Sequence, residues 1–488
     1  MKELKDILYK VSLTATIGDM EVEVNDVVFD SRKVSKGCVF IAVKGTQVDG
    51  HDYIEQAVEG GAVAIVCETM PKKVSDKVTY VQVSNPAKAL GILASNFFDN
   101  PSEYIKIVAV TGTNGKTTTA TLLHQLFMEM GYVSGLLSTV ENKINDEVIP
   151  STHTTPDAIT LNRLLKKMLK EGCTHCFMEA SSHAIIQERM AGLKIAGAVF
   201  TNISHDHLDY HGTFDDYIKA KKKLFDELPQ DAFALVNADD KRGLVMLQNT
   251  KASKYSFGLK YPADYKAKIL SNTLQGLELD IHNRSVWFRI IGEFNAYNIL
   301  AVLGVSVLLG GEEEEILMQL SKVKGAQGRF DQQTYKGITT IVDYAHTPDA
   351  LENVLKTIQG VRSGIEKIIT VVGCGGNRDK GKRPLMANIA CQYSDKVILT
   401  SDNPRDEEPM AIIKDMETGL NPISYRKAVL MEDRKEAIKT AIMFAEKGDI
   451  ILIAGKGHET YQEIKGVKKP FDDRRVAQEL LKLLHSDK

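Results

Sequence analysis

Short apolar runs, each closed by a polar or glycine-rich stretch, recur along the whole chain and carry its first reading. In residues 1 to about 104, runs at 21–29 and 38–43 predict strands, and the Asn-Pro-Ser turn at 100–102 predicts a linker. The charged start MKELKDILYK is patterned as an amphipathic helix. A β-branched run at 105–110 then leads through a glycine-containing loop into a helix predicted at 118–130 and stopped by Gly131. Strand, loop and helix in that order open a parallel α/β unit. Further buried strands are predicted at 176–179, 196–200 and 233–237, and a core helix at 299–309. The last third repeats one pattern four times, at 341–346, 369–373, 397–402 and 450–455: an apolar strand running into polar or glycine-rich residues. Ligands of open parallel sheets bind beyond the carboxyl ends of strands, so these four ends are expected to converge on one crevice.

A chain of 488 residues is too long for one core, and three domains are expected, at 1–104, 105–331 and 332–488. The composition, 43% hydrophobic and 26% charged, is that of an ordinary globular protein, with no long uncharged apolar stretch to span a bilayer. The first residues lack the apolar core and cleavage site of a signal peptide, so a cytoplasmic location is expected. Six cysteines, mostly isolated in apolar surroundings, make no disulfide framework and fit a reducing compartment. With a net charge of −3 and both signs interspersed, there is no electrostatic footprint for nucleic acid or an anionic membrane. Anionic ligands must then be held by local sites.

One such site is written in residues 111–118, TGTNGKTT, between a strand and a helix. Backbone N–H groups of Gly112, Thr113, Asn114, Gly115 and Thr118 can bind phosphate there with the help of the helix dipole. Lys116 would neutralise β/γ-phosphate charge, and the Thr117 hydroxyl is placed to ligate Mg²⁺. The loop departs from the common Walker spacing, since Val110 stands five residues before Gly115. Glu179 ends an apolar strand, where a carboxylate needs a cation, a salt bridge or a helix cap. The segment 201–212 places His205, His207 and His211 within seven residues, a density that suits metal or phosphate chemistry, zinc included, or a solvated loop. The helix predicted at 216–225 has a basic face whose lysines read as solvent-facing, and nothing in the pattern singles out Lys221. Cys173 and Cys176 form a C-x-x-C without a second pair and run into a strand, so neither zinc nor redox chemistry is expected.

TGTNGKT is followed in order by EASSH (179–183), SHDHLDYHG (204–212), AKKKLF (220–225), GEFNAYN (292–298), Gly328-Arg329, DYAHTPDAL (343–351), GCGGNRDKGKRP (373–384), SDNPRDEEP (401–409) and GKGHETYQ (455–462). With Asp30-Ser31-Arg32 near the start, this series resembles the Mur ligase family over nearly the whole chain. The resemblance is to the branch that adds meso-diaminopimelate to UDP-N-acetylmuramoyl-L-alanyl-D-glutamate at the expense of ATP. It implies a three-domain α/β fold with a central P-loop ATPase-type parallel sheet and a C-terminal Rossmann-like domain, acting as a monomer. It further implies that Thr117, Glu179 and His207 organise Mg²⁺, and that Lys221 is carbamylated by CO₂, giving the oxygen ligands that Mg²⁺ prefers. Asn298, Arg329 and Asp343 match ATP contacts, with Arg329 also suited to stabilise a transferring phosphoryl group. Lys116, Lys221, Arg329 and His207 make the implied catalytic set.

Ser31 matches a contact to uridine diphosphate, and Thr154, Thr155, Ser181, Gln187 and Arg189 match contacts to the muramoyl peptide. His153 stands where some relatives carry asparagine. Asp402, Asn403, Pro404 and Arg405 match the DNPR signature of the diaminopimelate-adding branch, in which a planar guanidinium can grip a distal carboxylate bidentately. Arg378, Gly455 and Glu459 complete that pocket, with Glu459 placed for the distal ammonium. The alternatives are the lysine-adding branch, a sibling Mur or folylpolyglutamate ligase, and a phosphate-loop switch without synthesis. A switch would hydrolyse ATP without either co-substrate.

Overall fold

The computed structural model describes residues 1–45, 48–151, 153–204, 208–362 and 364–484. Among these, three sheets of five or more strands follow one another along the chain. The first orders Leu13–Ile17, Thr79–Val83, Ala64–Cys67, Cys38–Ile41 and Asp26–Val28, with only the first pair antiparallel. The run at 21–29 is two strands, not one: Glu23–Val24 pairs with Lys2–Glu3, while Asp26–Val28 pairs with Cys38–Ile41. Asn25 divides them, its amide N bonding Gly37 O (2.9 Å) and its side-chain Nδ2 bonding Lys36 O (2.7 Å). The charged start makes only a one-turn helix, Leu4–Ile7, because Lys2–Glu3 is taken up in that strand pair and Lys10 turns left-handed (φ 65°).

The central sheet has eleven strands. Lys106–Thr111 lies between His175–Glu179 and Ile195–Phe200, both parallel to it. The parallel part runs from Ser134–Leu137 at one end to Tyr265–Thr273 at the other, and antiparallel strands extend both edges. Lys116–Glu129 and Glu293–Leu308 cover one face and Ala158–Lys170 and Phe214–Asp226 the other, so apolar residues on both sides of each strand are buried. The predicted core helix at 299–309 begins six residues earlier, at Glu293, with Asn295 and Asn298 buried in it.

The third sheet orders Asp331–Tyr335, Ile338–Asp343, Ile450–Ala454, Ile368–Cys374, Lys396–Ser401 and Ala428–Met431, parallel except at its first pair. All four predicted strands are present. The first starts at Ile338 because Thr339 and Thr340 are buried despite their polarity, and it ends at Asp343, so Tyr344 to His346 lie beyond it. The first sheet's helix Pro86–Phe97 seats on the central unit at Gly91, where a Cβ would stand 2.5 Å from Ala191 O. No helix among the described residues is long and apolar enough to cross a membrane.

Candidate active site

Beyond Lys106–Thr111 the chain turns at Gly112, whose φ is 152° and whose Cβ would stand 1.9 Å from Thr201 Oγ1. The loop is braced by the neighbouring strand end: Thr113 N donates to Asn202 O (2.8 Å), Asn114 N to Asn202 Oδ1 (2.9 Å), and Thr201 Oγ1 to Asn114 O (2.6 Å). Gly115, left-handed at φ 87°, then opens the helix Lys116–Glu129 with no side-chain cap, leaving its first N–H groups for a ligand. The helix starts two residues before the apolar periodicity does, because its first turn is polar. Lys116 Nζ reaches back to Gly112 O (2.9 Å) and Thr113 O (2.8 Å), so the ammonium is held over the loop.

Among the described residues, Glu179 is neither a helix cap nor half of a salt bridge. Its Oε1 accepts from Thr117 Oγ1 (2.9 Å) and Thr139 N (2.7 Å), while its buried Oε2 has no hydrogen-bond partner. An orphaned, buried carboxylate oxygen beside a hydroxyl is a costly arrangement that a hard cation relieves, so Thr117 and Glu179 fit Mg²⁺. His207, and with it His205, lies outside the described residues; among those described, no three His, Cys, Asp or Glu side chains cluster as a metal site.

The solvent-facing expectation fails at Lys221. Helix Phe214–Asp226 packs that position against the phosphate loop, and Lys221 is 1% exposed, donates to Gly112 O (2.9 Å) and stands 4.5 Å from the Tyr217 ring centroid. Lys219 on the opposite face remains in solvent and pairs with Asp216. Arg329 arrives from across the cleft, with Nη2 3.2 Å from Thr117 Oγ1 and the guanidinium 4.6 Å from the Tyr344 ring centroid.

A cavity of about 610 Å³ opens between the central and third sheets, lined by Asn114, Gly115, Thr118, Asn298, Arg329 and Asp343 among others. Asn298 lies under the loop, its Oδ1 taking the Thr119 hydroxyl (3.3 Å). Asp343 accepts from Phe330 N (2.6 Å) and Ala345 N (2.8 Å); burial pushes its carboxyl up, and Arg329 opposes that shift. Burial pushes the His458 imidazole down to about 3, with Arg329 adding to the effect, so the ring is neutral at physiological pH.

The four polar strand ends of the third sheet do meet. Gly455 N donates to Asp343 O (3.0 Å), and Gly376 N to Asn403 O (2.9 Å). Gly455 has φ 116°, and a Cβ there would stand 2.5 Å from Asp402 Oδ2. Asn403 Nδ2 donates to Glu459 Oε2 (2.7 Å). Arg405, left-handed at φ 50°, follows Pro404 and sets Nη1 on Gly376 O (2.8 Å) and Nε 3.7 Å from Glu463 Oε2. Arg378 is exposed, with Nη1 3.5 Å from Asn377 O, and among the described residues shares no hydrogen bond with the rest of this pocket.

A second cluster borders the loop on the other side. Thr155 Oγ1 donates to Glu179 O (2.7 Å) and accepts from Ser181 N (3.1 Å); Thr154 Oγ1 takes the Thr139 hydroxyl (3.0 Å). Arg189 donates to Thr155 O (2.6 Å) and to Gln187 Oε1 (2.7 Å). Ser31 stands apart, opening a 3-10 turn that Asp30 caps on the first sheet, and shares no hydrogen bond with this cluster among the described residues.

Residues 23–98, 110–306 and 328–457 match, in turn, the Mur ligase family catalytic domain, the Mur ligase middle domain and the Mur ligase glutamate ligase domain. A Cytophaga hutchinsonii protein named UDP-N-acetylmuramoyl-L-alanyl-D-glutamate--2,6-diaminopimelate ligase is 60% identical over 484 residues, 99% of this chain and 99% of that one. The chain belongs to the Mur ligase family. A Bacteroides fragilis Mur ligase of the same name is 54% identical over 482 residues, again 99% of each chain. A solved structure, also named as this ligase, superposes with a TM-score of 0.72 at 34% identity, covering 99% of this chain and 100% of its own. The fold is therefore the three-domain α/β arrangement of Mur ligases.

Two charged residues of this Mur ligase escaped the sequence reading. Arg434, 1% exposed and paired with Asp473 (2.7 Å), donates to Ser401 O (3.3 Å) and Ala454 O (3.0 Å) and so ties two of the converging strand ends together. Lys456, fully buried, sits among Asp402, Asn403 and Glu459. Sequence shows both as ordinary cations; only the apolar run that ends just before Lys456 hinted at its burial.

Proposed function

We propose that the chain joins meso-diaminopimelate to UDP-N-acetylmuramoyl-L-alanyl-D-glutamate, with ATP cleaved to ADP and phosphate, in peptidoglycan precursor synthesis. The reading assigns residues 1–104 to the UDP moiety, 105–331 to ATP and 332–488 to the amino acid, in a cytoplasmic monomer. A substrate carboxylate attacks the γ-phosphoryl group, ADP leaves, and the amine of the amino acid then displaces phosphate from the acyl phosphate with loss of a proton. The uncapped N–H groups at the start of the helix, from Gly115 to Thr118, and the Lys116 ammonium hold the phosphates, while Thr113 and Asn114, whose N–H groups are taken by Asn202, shape the loop; Arg329 meets the charge on the transferring group. Asn298 and Asp343 hold the rest of ATP beside the cavity. Thr117 and Glu179, with His207, would hold Mg²⁺, which when bound would supply further charge neutralisation at the phosphates. Lys221 is read as the carbamate formed when CO₂ adds to its neutral amine with loss of a proton, which turns a repelling cation into a supporting anion.

Ser31 serves the uridine diphosphate, and Thr154, Thr155, Ser181, Gln187 and Arg189 the muramoyl peptide. Arg378, Asp402, Asn403, Arg405 and Glu459 take the amino acid, with Pro404 and Gly455 shaping the pocket. The observation that carries the reading is the meeting of Lys116, Lys221, Arg329 and the Thr117–Glu179 pair at one loop, beside a DNPR pocket on the facing sheet. The test is a product assay offering the UDP-muramoyl dipeptide and ATP with diaminopimelate, lysine or ornithine. Ligation is expected with diaminopimelate, and ADP release is expected to require both co-substrates. Release of ADP without them would mark a switch, and a preference for lysine would mark the other branch.

A further inference from the structure

The buried ammonium of Lys456 has no part in the roles assigned above, and a buried charge is retained only where its partners repay desolvation. Lys456 is 0% exposed; its Nζ donates to Asn403 Oδ1 (3.0 Å) and Glu459 Oε2 (3.0 Å) and lies 3.9 Å from Asp402 Oδ1. Asn403 closes the ring: Nδ2 donates to the same Glu459 Oε2 (2.7 Å), and Oδ1 also accepts from Glu463 N (2.9 Å). Both bonds to Glu459 therefore fall on one oxygen. The carboxylate is pinned through Oε2, while Oε1 takes part in neither bond. An amide turned the other way would face Lys456 and Glu463 N with donors, so the network also sets the orientation of Asn403. The hairpin Tyr461–Ile464 and Val467–Pro470 follows directly, and Arg405 N is bonded to Glu463 O (3.1 Å), which links the network to the arginine of the pocket.

We infer that Lys456 is a positioning residue for the incoming amino acid, holding Glu459 and Asn403 so that the outer oxygen of Glu459 is presented to a substrate ammonium. The inference rests on the reading that this pocket takes the amino acid. Charge is consistent with it: two carboxylates, Asp402 and Glu459, and one ammonium leave a net charge of −1 to meet a cationic amine. A lysine that acts in this way affects binding of one substrate alone, and does so through Glu459.

Lys456→Met is expected to raise KM for the amino acid roughly tenfold to a hundredfold, the loss of a charge-assisted hydrogen bond, while KM for ATP and for the UDP-muramoyl peptide stays within about twofold. In a Glu459→Gln background the same substitution is expected to change amino-acid KM by less than about threefold, because the group it positions has lost its charge. Equal losses for all three substrates, or full additivity with Glu459→Gln, would overturn the role. Where Lys456→Met does not fold, Lys456→Gln, which keeps a donor and removes the charge, is put through the same pair of backgrounds and read by the same criteria. A wild type that ligates no amino acid overturns the functional reading and this one together; an active wild type with an unchanged Lys456→Met KM overturns this one alone.

Discussion

The phosphate loop and the amino-acid pocket solve the same problem, holding a charged ligand at the carboxyl ends of parallel strands, by opposite means. The loop is local: eight consecutive residues carry its backbone donors, and its cation, Lys116, bonds carbonyls three and four residues away. The pocket is assembled from four strand ends between Asp343 and Gly455, and its buried cation, Lys456, is held by side chains up to 53 residues distant. Backbone donors need only a turn of the right shape, which Thr201 and Asn202 at one neighbouring strand end are enough to brace. A side-chain network needs every partner in place, so the pocket depends on the whole third sheet.

That contrast can be broken first at Lys116. Lys116→Ala removes a cation from a loop built of backbone, so product formation is expected to fall about a thousandfold while thermal stability barely moves; a folded variant with near wild-type synthesis would refute the nucleotide site. Lys221 tests whether the loop is as local as it looks, since this lysine comes from a helix more than a hundred residues away and touches Gly112. Lys221→Ala is expected to lose activity by about a hundredfold or more. Short-chain carboxylates should restore part of it by filling the anion position, and full activity without an additive would eliminate the carbamate.

Arg405 sharpens the comparison on the pocket side. Arg405→Ala leaves a distal carboxylate without its partner, at a cost of about 2–5 kcal/mol, or roughly thirtyfold to several thousandfold in kcat/KM for diaminopimelate. Use of lysine should change far less, and an unchanged ratio of kcat/KM for the two amino acids would free Arg405 of that role. The smallest effect is on stability. Glu407, three residues from Asn403's neighbour Pro404, is held down at about 2 from an ordinary 4.5 by hydrogen bonds from the buried Arg383 guanidinium. Its folded-state value lies below the unfolded one, so the stability it contributes is complete above about pH 4.5 and is lost as pH falls through about 2. Urea midpoints of wild type and Glu407→Gln should therefore differ most near neutrality and converge as the solution is acidified; a gap independent of pH would assign the difference to packing.

Much of the fold was legible because burial on both faces writes parallel strands as continuous apolar runs: 106–111, 195–200, 233–237 and the four strands of the third sheet all stand out. The misses have local causes. Ile338–Asp343 began early on buried threonines, and the first charged residues were drawn into a strand pair rather than a long helix. At the site, Lys116 and Thr117 were readable from their motif and its place between strand and helix. Lys221 was not, because three adjacent lysines look alike until packing decides which one turns inward.

By itself, then, the chain made legible the buried parallel strands it wrote as apolar runs, the phosphate loop, and the motifs that place it among Mur ligases, since all of these depend on residues close in sequence. Tertiary structure alone decided that Glu179 keeps a bare buried oxygen beside Thr117, that Arg329 crosses the cleft to the same hydroxyl, and that Lys456 lies buried between Asn403 and Glu459. The reason is physical: burial and pairing of a charge depend on what other segments bring within about 4 Å, and residue order does not carry that distance.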